Sequence, residues 1–131
     1  MKKLVVVVED DELASQLYQF YFQRYGIKSF ISDNASEVID FVKREKVGLL
    51  IMDINLTNTY IDGKKVDGLQ FTKYLKNNEI TKHIPIMYVT GTNIDYDKQT
   101  ETIYNDSVDV ITKPIINFKA FIQKINRYLE L

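Results

Sequence analysis

Gly48-Leu49-Leu50-Ile51-Met52-Asp53-Ile54-Asn55 decides how this chain is read. It is an unbroken apolar run that stops on a carboxylate. Such a run, between a glycine and a polar loop, reads as a strand buried on both faces, as in a parallel sheet covered by helices. Asp53 then stands at the carboxyl end of the strand, the edge where open α/β sheets bind their ligands. Alone, Asp53 is explained equally well as a turn former. The ends of the other strands decide between the two.

Working outward, Leu4 to Val8 is a β-branched run and reads as a first buried strand. Asp11 is the N-cap of a helix from Glu12 to about Tyr25, closed by Gly26. Leu13, Leu17, Phe20, Tyr21 and Arg24 recur at helical spacing, with Ala14, Tyr18 and Tyr25 beside them; this aromatic face is expected to pack on the core. Ile27 to Ile31 is a second strand, and Asn34-Ala35-Ser36-Glu37 resembles a capping box opening a helix to about Glu45. After Asp53 comes a long polar loop, Leu56 to Val66, and Asp67-Gly68 open a third helix. Pro85 to Thr90 is a fourth strand, with Pro at its tolerated first position. A polar-rich helix is expected from Ile94 to about Asn105, and a fifth strand from Val108 to Ile111. Asn117 caps a final helix striped by Phe118, Phe121, Ile122, Ile125, Tyr128 and Leu129.

Strand and helix alternate five times. That calls for a parallel sheet with helices on both faces, and right-handed crossovers put all the strands' carboxyl ends on one edge. The fold expected is a flavodoxin-like, doubly wound (βα)5 sandwich, strand order 2-1-3-4-5. The 131 residues make one domain, 1–131, with 45% apolar residues and a net charge of −1. This balance gives no general attraction to nucleic acid or membrane. With no cysteine, disulfides, thiolate metal sites and Cys nucleophiles are excluded. The first apolar run ends at Glu9-Asp10-Asp11-Glu12, the wrong flank for a signal peptide, and no segment has transmembrane length. A cytoplasmic protein is expected.

The shared edge collects Glu9 and Asp10 from strand one, Asp53 from strand three, Thr90 from strand four and Lys113 from strand five. Two carboxylates about 4 Å apart repel by roughly 4 kcal/mol at an effective dielectric near 20, so the trio needs counter-charge. Oxygen ligands without sulfur or histidine favour Mg²⁺. A carboxylate beside that metal can accept a phosphoryl group. Mg²⁺, Lys113 and Thr90 with a neighbouring backbone N–H can then serve its three outer oxygens.

At these residues the whole chain resembles the receiver domain of two-component response regulators. The matching motifs are Glu9-Asp10 after a Val run, Asp53, Asp67-Gly68, Thr90 and Lys113-Pro114. The resemblance implies that Asp53 is the phosphoacceptor. Asp10 would bind Mg²⁺ directly, Glu9 through water, and Asn55 through its carbonyl. Thr90 would be the switch hydroxyl, with Gly91 leaving room for phosphate, and Lys113 would pair with phosphoryl oxygens. The Lys113–Pro114 peptide is expected to be cis. The donor would be a sensor histidine kinase or a histidine phosphotransfer protein. The readout would be a downstream protein, or a homodimer, through the fourth helix, fifth strand and fifth helix. The domain would be a switch, not an enzyme turning over a separate substrate. No output segment follows Leu131 in this sequence, so the domain acts by binding a partner or is a piece of a longer regulator.

Two departures stand out. Val110 occupies the strand-five position where the family usually has an aromatic residue that follows the Thr. The Leu56–Val66 loop is longer than the family norm, and Thr57 stands near the place of the usual proline. A loop of that length serves as a lid or docking element, or as a tolerated insertion. Two other functions are weighed. One is a degenerate receiver that binds partners without phosphorylation. The other is a haloacid-dehalogenase-like phosphatase built on Asp53-Ile54-Asn55-Leu56-Thr57. In that family this motif is on the first strand, with an acid where Asn55 stands. The first strand–helix turn carries acids where a dinucleotide site has glycines. His83, the one histidine, precedes strand four and is given no role.

Overall fold

The computed structural model describes residues 3–91 and 106–130. In chain order the elements are β1 (Leu4–Val8), α1 (Glu12–Arg24), β2 (Ser29–Ser32), α2 (Ala35–Arg44) and β3 (Val47–Asp53). Then come β4 (Thr59–Ile61), β5 (Lys64–Val66), α3 (Gly68–Lys76), β6 (Ile86–Thr90), β7 (Asp109–Thr112) and α4 (Phe118–Leu129). The helix expected over 94–105 lies outside the described residues.

Five strands form one parallel sheet in the order β2-β1-β3-β6-β7, the doubly wound order expected, interrupted in sequence only by the small β4–β5 ribbon. Alternation along each strand separates two cores. Val6, Val8, Leu50, Met52, Ile86 and Tyr88 face α2 and α3, while Val5, Val7, Leu49, Ile51, Met87 and Val89 face α1 and α4. The central strand β3 is buried from Gly48 to Asp53, which explains its unbroken apolar run.

Each of the described helices opens on a short polar side chain that accepts a main-chain N–H: Asp11 from Ala14 (2.9 Å), Asn34 from Glu37 (3.0 Å), Asp67 from Gln70 (2.8 Å) and Asn117 from Ala120 (3.0 Å). The reciprocal capping box is at Asp67–Gln70. At Asn34 only half of it forms, because the Glu37 carboxylate accepts instead from the Ser32 hydroxyl at 3.1 Å.

Two expectations are corrected. The α1 stripe of Leu13, Leu17 and Phe20 does not face the core: these residues are 67%, 43% and 56% exposed. The buried side chains of α1 are Tyr18 and Phe22, which pack on α4. A helix with apolar residues on two sides has no periodicity that says which side the sheet covers. The Leu56–Val66 segment, read as a loop, contains an antiparallel hairpin, with Thr59 opposite Val66 and Ile61 opposite Lys64. Its turn is Asp62-Gly63, both at positive φ (51° and 77°), the pairing that two-residue hairpin turns require. Thr59 is buried, and Ile61 and Val66 pack on the core beneath α2 and α3.

Candidate functional site

The carboxyl ends of β1, β3, β6 and β7 meet at one edge. Lys113, just past β7, is its electrostatic centre. Its ammonium lies 2.8 Å from Glu9 Oε1 and 3.3 Å from Asp53 Oδ2. Burial pulls the Lys113 pKa down, but the two carboxylates outweigh it and the net shift is upward. The Lys113–Pro114 peptide is cis, as expected.

Glu9 is 2% exposed, and its Oε2 has no hydrogen-bond partner among the described residues. Burial first, then the neighbouring Asp53 carboxyl, pushes the Glu9 pKa up to about 8 against the pull of Lys113. Carboxylate oxygens of Glu9, Asp10 and Asp53 all lie within 4.8 Å of one another. One ammonium faces three carboxyl groups, and a buried Glu9 oxygen is left without a partner among the described residues. The donor set is all oxygen, which suits a hard cation such as Mg²⁺. Tyr18 lies below the cluster; burial, then the charges of Glu9 and Asp53, push its phenol well above the ordinary value.

Asp53 ends β3 with 5% exposure, and its Oδ1 accepts the Asn55 N–H at 2.9 Å. Gly68, the first residue of α3, lies directly on the Asp53 main chain, and a Cβ there would collide with the Asp53 carbonyl. The Gly68 N–H donates to the Ile54 carbonyl at 3.1 Å. Asp67-Gly68 is thus a packing requirement of the acidic strand end as well as a helix start.

Asp10 points into the turn after Asp53. Its Oδ2 accepts the N–H groups of Thr57 (2.6 Å) and Asn58 (2.9 Å). Thr90 is buried at the end of β6, with its hydroxyl 3.2 Å from the Gly91 carbonyl and 3.5 Å from Asn55 Oδ1. Asn55 Oδ1 also accepts the Gly91 N–H at 2.9 Å. The amide of Asn55 therefore bridges the segment after β3 to the segment after β6.

All six residues singled out from the sequence, Glu9, Asp10, Asp53, Asn55, Thr90 and Lys113, come together. The donors of Thr57 and Asn58 were missed because they are main-chain groups, which no residue type announces. His83 is exposed ahead of β6, apart from this edge. Val110 pairs with Tyr88 of β6 in register. Beside Lys113 and Gly91 opens a groove of about 510 Å³, lined mainly by apolar Leu13, Leu17, Tyr18, Pro114, Ile115 and Phe118.

A family model described as the response regulator receiver domain matches residues 5–126. The polar-differentiation response regulator DivK of Brucella anthropi is 30% identical over 129 residues, covering 98% of each chain. Among solved structures, the receiver domain of a sensor histidine kinase from Pseudomonas aeruginosa, with a magnesium ion coordinated in its active site cleft, covers 98% of both chains at a TM-score of 0.75 and 16% identity. A response regulator receiver protein from Pseudomonas putida gives 0.76 at 22% identity, covering 97% of this chain and 98% of that one. These two likenesses show the fold. The matched family model and the curated relative show more: the chain belongs to the response regulator receiver domains of two-component systems.

Proposed function

We propose that this domain is a phosphorylation-operated switch that accepts a phosphoryl group on Asp53 from a phosphohistidine donor. The observation that carries this reading is the meeting of three carboxylates within 4.8 Å, with the Lys113 ammonium on two of them. A carboxylate oxygen of Asp53 attacks phosphorus; the new O–P bond forms as the donor's N–P bond breaks, and the imidazole leaves. Asp10, Asp53, the Asn55 carbonyl and Glu9 would hold Mg²⁺, which would supply charge neutralisation for the transferring group. Lys113, now shared between Glu9 and Asp53, turns to a phosphoryl oxygen.

The Asn55 amide oxygen engages the donors that a phosphoryl group on Asp53 would use. It accepts the Gly91 N–H and lies within reach of the Thr90 hydroxyl, the two donors proposed for the phosphoryl group. Phosphorylation would move these donors from Asn55 to the new oxygens and shift Gly91. Moving such an equilibrium from 1:99 to 99:1 takes roughly 5.5 kcal/mol of differential stabilisation.

The phosphodonor is a sensor histidine kinase or a histidine phosphotransfer protein. The apolar groove between α1 and the Lys113–Phe118 segment suits its docking, because it opens beside Lys113 and Gly91. The output is binding of a downstream protein or a second copy, and the only chemistry is the domain's own phosphoryl transfer and dephosphorylation. A cytoplasmic location fits this role; among the described residues no helix is long and apolar enough to cross a membrane.

Intact mass after incubation with acetyl phosphate and Mg²⁺ tests the reading. Wild type should gain one phosphoryl group and Asp53→Asn none. If neither that donor nor a phosphohistidine protein labels Asp53, and beryllofluoride leaves the spectra unchanged, the domain is a phosphorylation-independent module.

A further inference from the structure

The turn after Asp53 converges on the acidic end of β1. Its Thr57 and Asn58 N–H groups both end on one oxygen, Asp10 Oδ2, at 2.6 and 2.9 Å. These are charge-assisted bonds from main-chain donors. The donors are themselves held. Leu56 on one side and Thr59 on the other are buried, and the Thr59 hydroxyl donates to the Asp33 carbonyl at 3.0 Å. The hairpin that follows is seated on the core by Ile61 and Val66, and the segment closes where Gly68 meets Ile54 and Asp53. Among the described residues no donor reaches Asp10 Oδ1.

We propose that Thr57 and Asn58 are positioning residues for the cation site, fixing Asp10 through Oδ2 so that Oδ1 is the oxygen presented to Mg²⁺. The inserted β4–β5 hairpin is then the support of an outer shell. Partners of this kind set the rotamer of a ligating side chain and keep its second oxygen from competing for the metal. The device belongs to this chain's sequence. A proline at Thr57, the residue usual near that place in receivers, has no N–H to give. The proposal rests on the Mg²⁺ reading above, and its test separates the two.

Titration calorimetry with Mg²⁺ alone is run on wild type, Thr57→Pro, Asn58→Pro and Thr57→Ala. The proline variants each delete one donor. The alanine variant keeps the N–H and removes only the hydroxyl, which is 3.5 Å from Oδ2. Either folded proline variant should bind Mg²⁺ roughly 10–100-fold more weakly, with Thr57→Ala within about twofold of wild type. Unchanged or tighter binding in the proline variants overturns the proposal. So does an equal loss in Thr57→Ala, which would assign the effect to the side chain.

A metal-free arm covers failure of the proline variants to fold. Amide hydrogen exchange at Thr57 and Asn58 should speed up at least tenfold in Asp10→Ala, while amides of β3 and α3 stay protected. No change at those two amides overturns the clamp. Wild type that binds no Mg²⁺ overturns the metal reading and the positioning role together, a result distinct from loss of the clamp alone.

Discussion

Glu9 shows how far a single residue is from its ordinary behaviour. Its folded pKa of about 8 lies above the ordinary value of 4.5, so between these values the folded, metal-free protein holds a proton there that the unfolded chain releases. A raised acid pKa stabilises the folded state fully below the unfolded value and loses that contribution as pH climbs through the folded one. Urea denaturation without metal should therefore show stability falling between about pH 4.5 and pH 8. Glu9→Gln, neutral throughout, should flatten that slope. A slope that persists in the variant would assign it elsewhere. Tyr88 offers a second test. It is fully buried, and its hydroxyl faces that of Thr72 without either finding a well-formed hydrogen bond among the described residues. Replacing both with apolar isosteres, Tyr88→Phe with Thr72→Val, should raise unfolding free energy by about 1 kcal/mol, read by the same denaturation. At this scale the identities Glu9, Asp53, Thr90 and Lys113 were legible, since each ends or directly follows a strand. The direction of the Asp10 carboxylate was not, because backbone donors 47 and 48 residues away decide it.

Among the elements, α1 and the hairpin are where sequence and structure part. Leu13, Leu17 and Phe20 lie at helical spacing and looked like core, yet α4 and the sheet cover the Tyr18–Phe22 side instead. Periodicity gives the width of an apolar stripe, not the identity of what covers it. Under the proposed function the uncovered stripe borders the donor's approach. Leu17→Ser with Phe20→Ser should change stability by no more than about 0.5 kcal/mol. Labelling by acetyl phosphate should stay near wild type, while transfer from a phosphohistidine protein should slow at least tenfold. Equal loss with both donors would point to damage at the site itself. The hairpin, by contrast, was present in the sequence as Asp62-Gly63 flanked by Thr59-Tyr60-Ile61 and Lys64-Lys65-Val66. Three-residue strands are too short to announce themselves by alternation, so tertiary support from the α2–α3 core was needed to make them a ribbon.

For the molecule as a whole, folding and site assembly are one event, because the acidic cluster exists only when β1 and β3 lie side by side. A cation that binds this cluster and not the unfolded chain should stabilise the fold by about 2.7 kcal/mol at one hundred times its dissociation constant. Urea midpoints with and without Mg²⁺ measure this, and Asp10→Ala should abolish most of the difference. By itself the sequence determined the alternation of strands and helices, the parallel sheet and the carboxylates, hydroxyl and ammonium that its strands carry to one edge. It could do so because burial writes apolar runs into strands and because short polar caps mark the start of each described helix. Only the tertiary structure decided which face of α1 stays bare, that the long segment after Asp53 folds back as a supported hairpin, and that this hairpin's base holds Asp10. The physical reason is common to all three: each depends on groups far apart in the chain, or on main-chain atoms that every residue shares, and of these local sequence marks only the Asp62-Gly63 turn.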